Sequence, residues 1–513
     1  MTGLMDPDGV PDGAGGPGLV LESVRFPGGS SLFDVHIRGG LVAGIYPRGE
    51  APGAASPALD CGGRYLIPGL WDEHVHMTQW AMHANRLDLS SAASAREAAA
   101  AVGRSIAEEG PAEATFVGVG FRDALWRDSP TRDLLDAASG SRPAAMVSHD
   151  LHCVWLNSAA GRRYGVELDA TGLLREELAF SLTRELGKLP DAVVDKWVDS
   201  AARAAAARGV VGVVDLEMTW NREPWLRRIA AGFDALRVEA GVYPEDLERA
   251  ASDGMRTGQE VDGGSGLLRV GPLKVLIDGS LNTRTAYCVD PYPFGGHGLL
   301  TVSAGELLAL LVRARETGFL PAVHAIGDAA NQVALDAFER AGSGGRIEHA
   351  QFVRRVDFAR FGALGVVASV QPLHALDDRD AAESNWPDGT DRAFPLRSLL
   401  DAGATLALGS DAPVARLDPW AAMSAATTRS AQDGRPPWQP QEAIAREHAL
   451  AASTRGRFQG DAFAGGIRPA DAADLVLLDA DPLTVPDPEF AAMPVAATIV
   501  GGRFTYDGGW AAS

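Results

Sequence analysis

Eight short apolar runs recur between residues 69 and 413, and they constrain the fold more than any other feature of the chain. They are GLWDEHVH (69–76), GVVGVVDLE (209–217), ALRVEAGVY (235–243), PLKVLIDG (272–279), FLPAVHAIG (319–327), GRIEHA (345–350), GVVASVQP (365–372) and ATLALGSDAP (404–413). Between them lie stretches such as AGELLALLVRARETG and AANQVALDAFERAG, whose apolar residues return every three or four positions. Short Val/Ile/Leu-rich runs alternating with amphipathic helices imply parallel strands covered on both faces. Eight such units close into a (β/α)8 TIM-type barrel, so the expected class is α/β.

A bare barrel needs roughly 250 residues, whereas this chain has 513. The surplus falls in three places. Residues 1–17 are acidic and rich in Gly and Pro, with no basic start or apolar core, and are expected to form a disordered tail rather than a leader. Residues 18–66 and 466–513 carry short strand-like runs punctuated by Gly and Pro, which predicts one discontinuous β-sandwich domain built from both ends. The barrel then spans 67–465, but about 130 residues separate its first two strands, far more than a βα unit requires. Residues 78–205 are therefore read as an inserted α/β subdomain lying over the barrel mouth.

The net charge of -21 repels nucleic acid and anionic lipid. No run approaches 18 uninterrupted apolar residues, so no membrane span is expected. Cys61, Cys153 and Cys288 are widely spaced, which gives neither a disulfide framework nor a thiolate metal site and suits a reducing cytosol. A cytoplasmic protein acting on a small molecule is the expectation, with no nucleic-acid or membrane partner and a homodimer left open.

Reactive residues of parallel barrels sit at the C-terminal ends of the strands. Read there, strand one offers His74 and His76, whose i, i+2 spacing points both side chains the same way. Strand four offers Lys274, strand five His324, strand six His349 and strand eight Asp411. Each alone has an ordinary structural explanation, but four histidines and an aspartate converging on one face point to a metal. Imidazoles with a carboxylate suit zinc first, with iron, manganese and nickel open. His36, His297, His374 and His448 are read as structural. Of the insertion's His83, His149 and His152, only His152 stands out.

Beyond single residues, the runs IPGLWDEHVH, SHDLHCVWLNSAA, TGLLREE, KVLIDGSLNTRTA, VHAIGDAANQVALDAFE, RIEHAQFVRRVDFARFGALGVVASVQP, GSDAPVARLDPWAAMSAATTR and DAADLVLLDADP occur in order across nearly the whole chain. With them the sequence resembles the amidohydrolase superfamily, and within it the YtcJ-like (amidohydrolase 3) branch that includes N-substituted formamide deformylase. The resemblance implies metal ligation by His74, His76, His324, His349 and Asp411. It also aligns Lys274 with a strand-four lysine that many members use as a carboxylated bridge between two ions. That role needs a lysine whose ammonium form is disfavoured, and the alternative is an ordinary cation beside a single ion. Two positions depart from the branch: Asn282 and Leu151 stand where Gly is more usual.

The implied chemistry is hydrolysis of a C–N bond in an amide, formamide, imide or similar group by metal-bound hydroxide. Asp411 then serves as ligand and proton shuttle. His152, or His149, is expected to assist as an electrophile. Arg284 is expected to hold a substrate group with Asp278 orienting it, unless the two form a salt bridge that fixes their loop. Trp80, Phe121, Trp126 and Trp155 line an apolar pocket or belong to a core. The alternatives are a mononuclear-metal deaminase and a non-catalytic regulator that retains the fold.

Overall fold

The computed structural model describes residues 18–52, 56–110, 114–123, 126–148, 153–175, 177–281, 283–293, 295–386, 389–431, 433–458 and 463–509. The sequence-predicted tail at 1–17 and residues His149, Leu151, His152 and Asn282 lie outside them.

Eight parallel strands form one sheet: Leu70–Val75, Val210–Asp215, Arg237–Val242, Leu268–Leu276, Pro321–Ala325, Gly345–His349, Val366–Val370 and Leu406–Leu408, each paired with its neighbour in chain order. The two ends of the sheet meet at a parallel bridge between Val75 and Ala412, where His76 N donates to Ala412 O and Asp411 N to His74 O. The expected eight-stranded α/β barrel is what the chain forms. The second strand is buried at every position, which is how a strand covered on both faces reads.

The helices between strands pack their apolar stripes on the barrel's outside. Helix Ala304–Thr317 starts in a capping box, with Ser303 and Glu306 exchanging side-chain and backbone hydrogen bonds, and buries Leu307, Leu311 and Ala314. Helix Asp328–Ala341 buries Ala334, Leu335 and Phe338 in the same core as Val275, Val323 and Ile347 of the strands. The chain ends add two four-stranded sheets, one from Leu19–Val24, Phe33–Arg38, Leu41–Pro47 and Ala58–Asp60, the other from Tyr65–Pro68, Leu475–Leu478, Val495–Val500 and Arg503–Asp507. Leu21, Val35, Ile37, Leu66, Leu475 and Ile499 meet in a common core between them.

Thr78–Ala201 forms a second compact unit. Its sheet runs Leu173–Arg175, Cys153–Leu156, Ala144–Ser148, Phe116–Phe121, Leu87–Asp88. Phe121 and Trp155 are core residues of this unit, and the half-buried Trp126 packs against that core, stacked on Phe121 at 5.2 Å between centroids and edge-on to Trp155 at 6.1 Å. The two indole N–H groups are spent on Ala92 O and Thr131 O, so of the two sequence readings these three aromatics take the core. Among the described residues no helix is long and apolar enough to cross a membrane.

Candidate metal centre

The site begins where the last strand closes on the first. Asp72, buried between them, accepts the backbone N–H of His74 at 3.1 Å and that of Ser410 at 2.9 Å through one oxygen. Gly409 leaves no room for a side chain: a Cβ there would stand 2.6 Å from His74 N. The chain then turns through Asp411 in the left-handed region, φ 58°, an uncommon conformation for a non-glycine residue. His349, at the end of the sixth strand, has φ 75°. Both residues leave the regular backbone at a strand end, where their side chains join the histidine cluster.

Asp411 Oδ1 lies 3.3 Å from His74 Nε2 and 3.3 Å from His76 Nε2. A tetrahedral ion with donors at roughly 2.0–2.1 Å sets those donors about 3.4 Å apart, so this trio already has nearly the spacing of a metal ligand set. The imidazoles cluster: ring centroids are 5.0 Å apart for His74 and His349, 4.4 Å for His324 and His349, and 6.0 Å for His349 and His374. Nδ1 of His349 and Nε2 of His374 are buried without a hydrogen-bond partner. Buried polar atoms seldom stay unsatisfied, and imidazole nitrogens gathered around a carboxylate are a divalent cation's donors, so these residues fit a bound ion.

Beneath the cluster runs a ladder of buried charge. His74 Nδ1 meets Glu348 Oε2 at 2.8 Å, and Glu348 pairs through its other oxygen with Arg346, which reaches Glu73 Oε2 at 2.8 Å and Ser369 Oγ at 2.7 Å. Arg455 continues it, bonding Glu73 and Glu239 and lying 3.5 Å over the Trp71 ring. A carboxylate on Nδ1 orients the ring and leaves Nε2 free for a metal, the usual support of a ligating histidine. Burial would raise the Glu348 pKa, but Arg346 and His74 hold it below the carboxylate range.

Electrostatics favour neutral imidazoles. Burial, helped by the Lys274 charge, brings His74 down to about 4 and His324 to about 3, and burial beside the other histidines carries His349 well below its ordinary value. His76 goes the other way: burial opposes its cation, but the bond to Asp411 outweighs burial and raises it. For Asp411 burial pushes upward, while His74, the His76 hydrogen bond and His374 hold it below the usual range.

The remaining sequence-predicted residues are placed as follows. Lys274 is buried, its Nζ 3.5 Å from His74 Nε2, and burial lowers its pKa to about 8. His324 Nε2 faces the loop after strand four, 3.4 Å from Gly279 O and 3.5 Å from Asp278 Oδ1. Asp278 accepts the backbone N–H groups of Tyr287, Ile326 and Gly327, fastening that loop to the next strand end. Arg284 sits in the same loop with φ 57°.

His374 is not among the ligands read from the sequence. Read from the sequence as structural, it lies beside the cluster, with Nε2 3.9 Å from Asp411 Oδ2 and Nδ1 3.2 Å from the Gln351 side-chain nitrogen. The donor atoms of His74, His76 and Asp411 form one group within 4.8 Å, and those of His349, His374 and Asp411 another. The run V-Q-P-L-H does place His374 just past a strand end, which was the available signal.

Residues 58–506 match the model of an amidohydrolase family, Amidohydro_3. The Arabidopsis thaliana protein LONG AFTER FAR-RED 3 is 29% identical, the match covering 86% of this chain and 82% of that protein. The N-substituted formamide deformylase of Arthrobacter pascens is 27% identical over 92% of this chain and 94% of its own length. Among solved structures, an uncharacterized metal-dependent hydrolase from Pyrococcus furiosus superposes with a TM-score of 0.75 at 25% identity, covering 91% of this chain and 100% of that one.

Proposed function

The chain belongs to the Amidohydro_3 amidohydrolase family, and from that premise we propose that it hydrolyses a C–N bond of a small molecule, in an amide, formamide, imide or similar group, with zinc at the His74–His76–Asp411 centre. The observation that carries this reading is the single carboxylate oxygen of Asp411 set 3.3 Å from two imidazole nitrogens. Lys274, His324 and His349 are the further donors of the proposed set, with Lys274 carboxylated where two ions bind. The deformylase relative, named for a formamide substrate, supports the bond class.

A divalent ion held there supplies a Lewis acid that polarises a carbonyl and lowers the pKa of water toward about 7. The chain's own part rests on Asp411. Its Oδ1 is engaged between the two histidines, while Oδ2 points away from them. Oδ2 is the oxygen free to take the proton of the attacking water and pass it to the departing nitrogen as the C–O bond forms and the C–N bond breaks. Glu348 keeps His74 in the tautomer whose Nε2 carries a lone pair. In the same reading Arg284 contacts a polar substrate group, and His152 supplies a further electrophile.

The test is a panel of N-substituted formamides, acyl amides and cyclic imides, run on protein stripped and reloaded with zinc, iron, manganese or nickel, with amine and ammonia release measured. Metal-dependent release of amine from at least one class is expected. No turnover of any class by any reloaded form overturns the reading, and ammonia from ring amines alone replaces it with the deaminase.

A further inference from the structure

The end of the barrel opposite the metal centre carries a cavity of about 430 Å3, in the size range of small-molecule sites. It lies where the first, third and fourth strands begin, at Trp71, Arg237 and Arg269, and Gly39, Gly40 and Gly501 in hairpin turns of the terminal sheets wall it. Four arginines line it, Arg237, Arg269, Arg455 and Arg457, against three carboxylates, Glu239, Glu260 and Asp474. The chain as a whole carries a net charge of -21, so a cavity with more guanidinium than carboxylate runs against its overall balance.

Two of the four arginines are spent on the fold. Arg237 gives Nε and Nη2 to the two oxygens of Asp474 at 2.6 and 2.9 Å, and Nη1 to Gly266 O at 2.8 Å, which ties a barrel strand to the edge of a terminal sheet. Arg455 is engaged by Glu73 and Glu239 at the foot of the charge ladder. The other two are not spent. Arg269 gives only Nη2, to Glu260 at 2.9 Å, leaving Nε and Nη1 without a protein partner among the described residues. Arg457 makes no side-chain hydrogen bond among the described residues, and its one ion pair there, with Asp471, is 3.9 Å long. The two side chains are 47% and 40% exposed, so a solute can reach them.

The lining carboxylates offer a cation nothing comparable. Each already faces an arginine, Glu239 at 2.6 Å, Glu260 at 2.9 Å and Asp474 at 2.6 Å. Guanidinium N–H groups left over in a cavity suit an oxyanion, which they bind through paired, charge-assisted hydrogen bonds. We propose that this cavity is a second ligand site, separate from the metal centre, and that it takes a small oxyanion, a carboxylate or a phosphate, on Arg269 and Arg457. Arg237 and Arg455, held by their own carboxylates, fix the walls around it. The site does not depend on the hydrolase reading.

The experiment is calorimetric titration of succinate, and separately of inorganic phosphate, into the full-length protein. It is run on wild type, Arg269→Gln, Arg457→Gln and a control, Arg397→Gln, whose half-exposed side chain pairs with Asp401 on another helix. Circular dichroism confirms that each variant is folded. Wild type and control are expected to bind at least one of the two anions saturably. Each mouth variant weakens that binding about tenfold or more, the worth of a hydrogen bond to a charged group. Binding of succinate alone assigns the site to carboxylates, and binding of phosphate alone assigns it to phosphates. Failure of both anions to bind saturably overturns the site. So does equal affinity in wild type and both mouth variants, which would put the anion elsewhere on the protein.

Discussion

Replacing Glu348 by Gln changes one atom's chemistry and nothing in size, yet its consequences reach the metal. Glu348 uses both oxygens on two donors, Oε2 on His74 Nδ1 at 2.8 Å and Oε1 on the Arg346 guanidinium, with no solvent contact. Glutamine has one acceptor to give. If its oxygen stays with Arg346, its NH2 faces His74 Nδ1, forces the proton to Nε2 and removes a metal ligand. If its oxygen stays with His74, the NH2 points at a buried cation, although Glu73 still holds the other side of Arg346. Losing the support of a ligating histidine costs 10–100-fold in metal affinity, about 1.4–2.8 kcal/mol. Leaving a buried charged donor unmet costs roughly 1–3 kcal/mol of stability, the lower part of the range because Glu73 remains. Competition for Zn2+ against a chelator of known affinity, with urea unfolding of the metal-free protein, reads both. Affinity within twofold of wild type together with an unchanged urea midpoint would refute the argument that Glu348 sets the His74 tautomer.

Three further outcomes follow from the same geometry. Asp411→Asn, which keeps one oxygen but no base, should lower kcat more than 100-fold in metal-loaded protein, and full turnover there would sink the proton-shuttle role. Gly409→Ala places a methyl 2.6 Å from His74 N, so the seam between first and last strands must open. Lower metal affinity than wild type is expected by dialysis, and an unchanged value would show that the seam is not rigid. Metal affinity should fall about tenfold per pH unit below neutrality, a slope of one proton. His74, His324 and His349 are already neutral there while His76, raised by Asp411, must give up its proton to bind. A slope of two would add Lys274, whose pKa lies near 8; three or more would contradict the assigned shifts.

Why some of this was readable from the chain and some was not comes down to which physical rule each residue obeys. The barrel strands announce themselves because both faces are buried, and His74 and His76 because alternation along a strand puts i and i+2 on one side. The fourth strand begins earlier than the sequence suggests, at Leu268 instead of 272, because Gly271-Pro272 reads as a break. The irregular register between Ala240/Val242 and Val270/Leu273 absorbs that pair inside the strand. Glu73, Arg346 and Glu348 were open to deduction: charges in strands covered on both faces have no water to turn to and must find each other. Which ones pair, across more than 270 residues, is a matter of side-chain reach that periodicity does not encode. His374 lies beyond even that, because a strand's alternation fixes the direction of its own residues but lapses at the turn. The direction of the first residue of a four-residue helix depends on Gln351 and Asp411, contributed by two other strand exits. Where a site is made by strand residues its chemistry is legible in the order of the letters. Where it is made by the turns between them, only the assembled barrel decides which side chains meet.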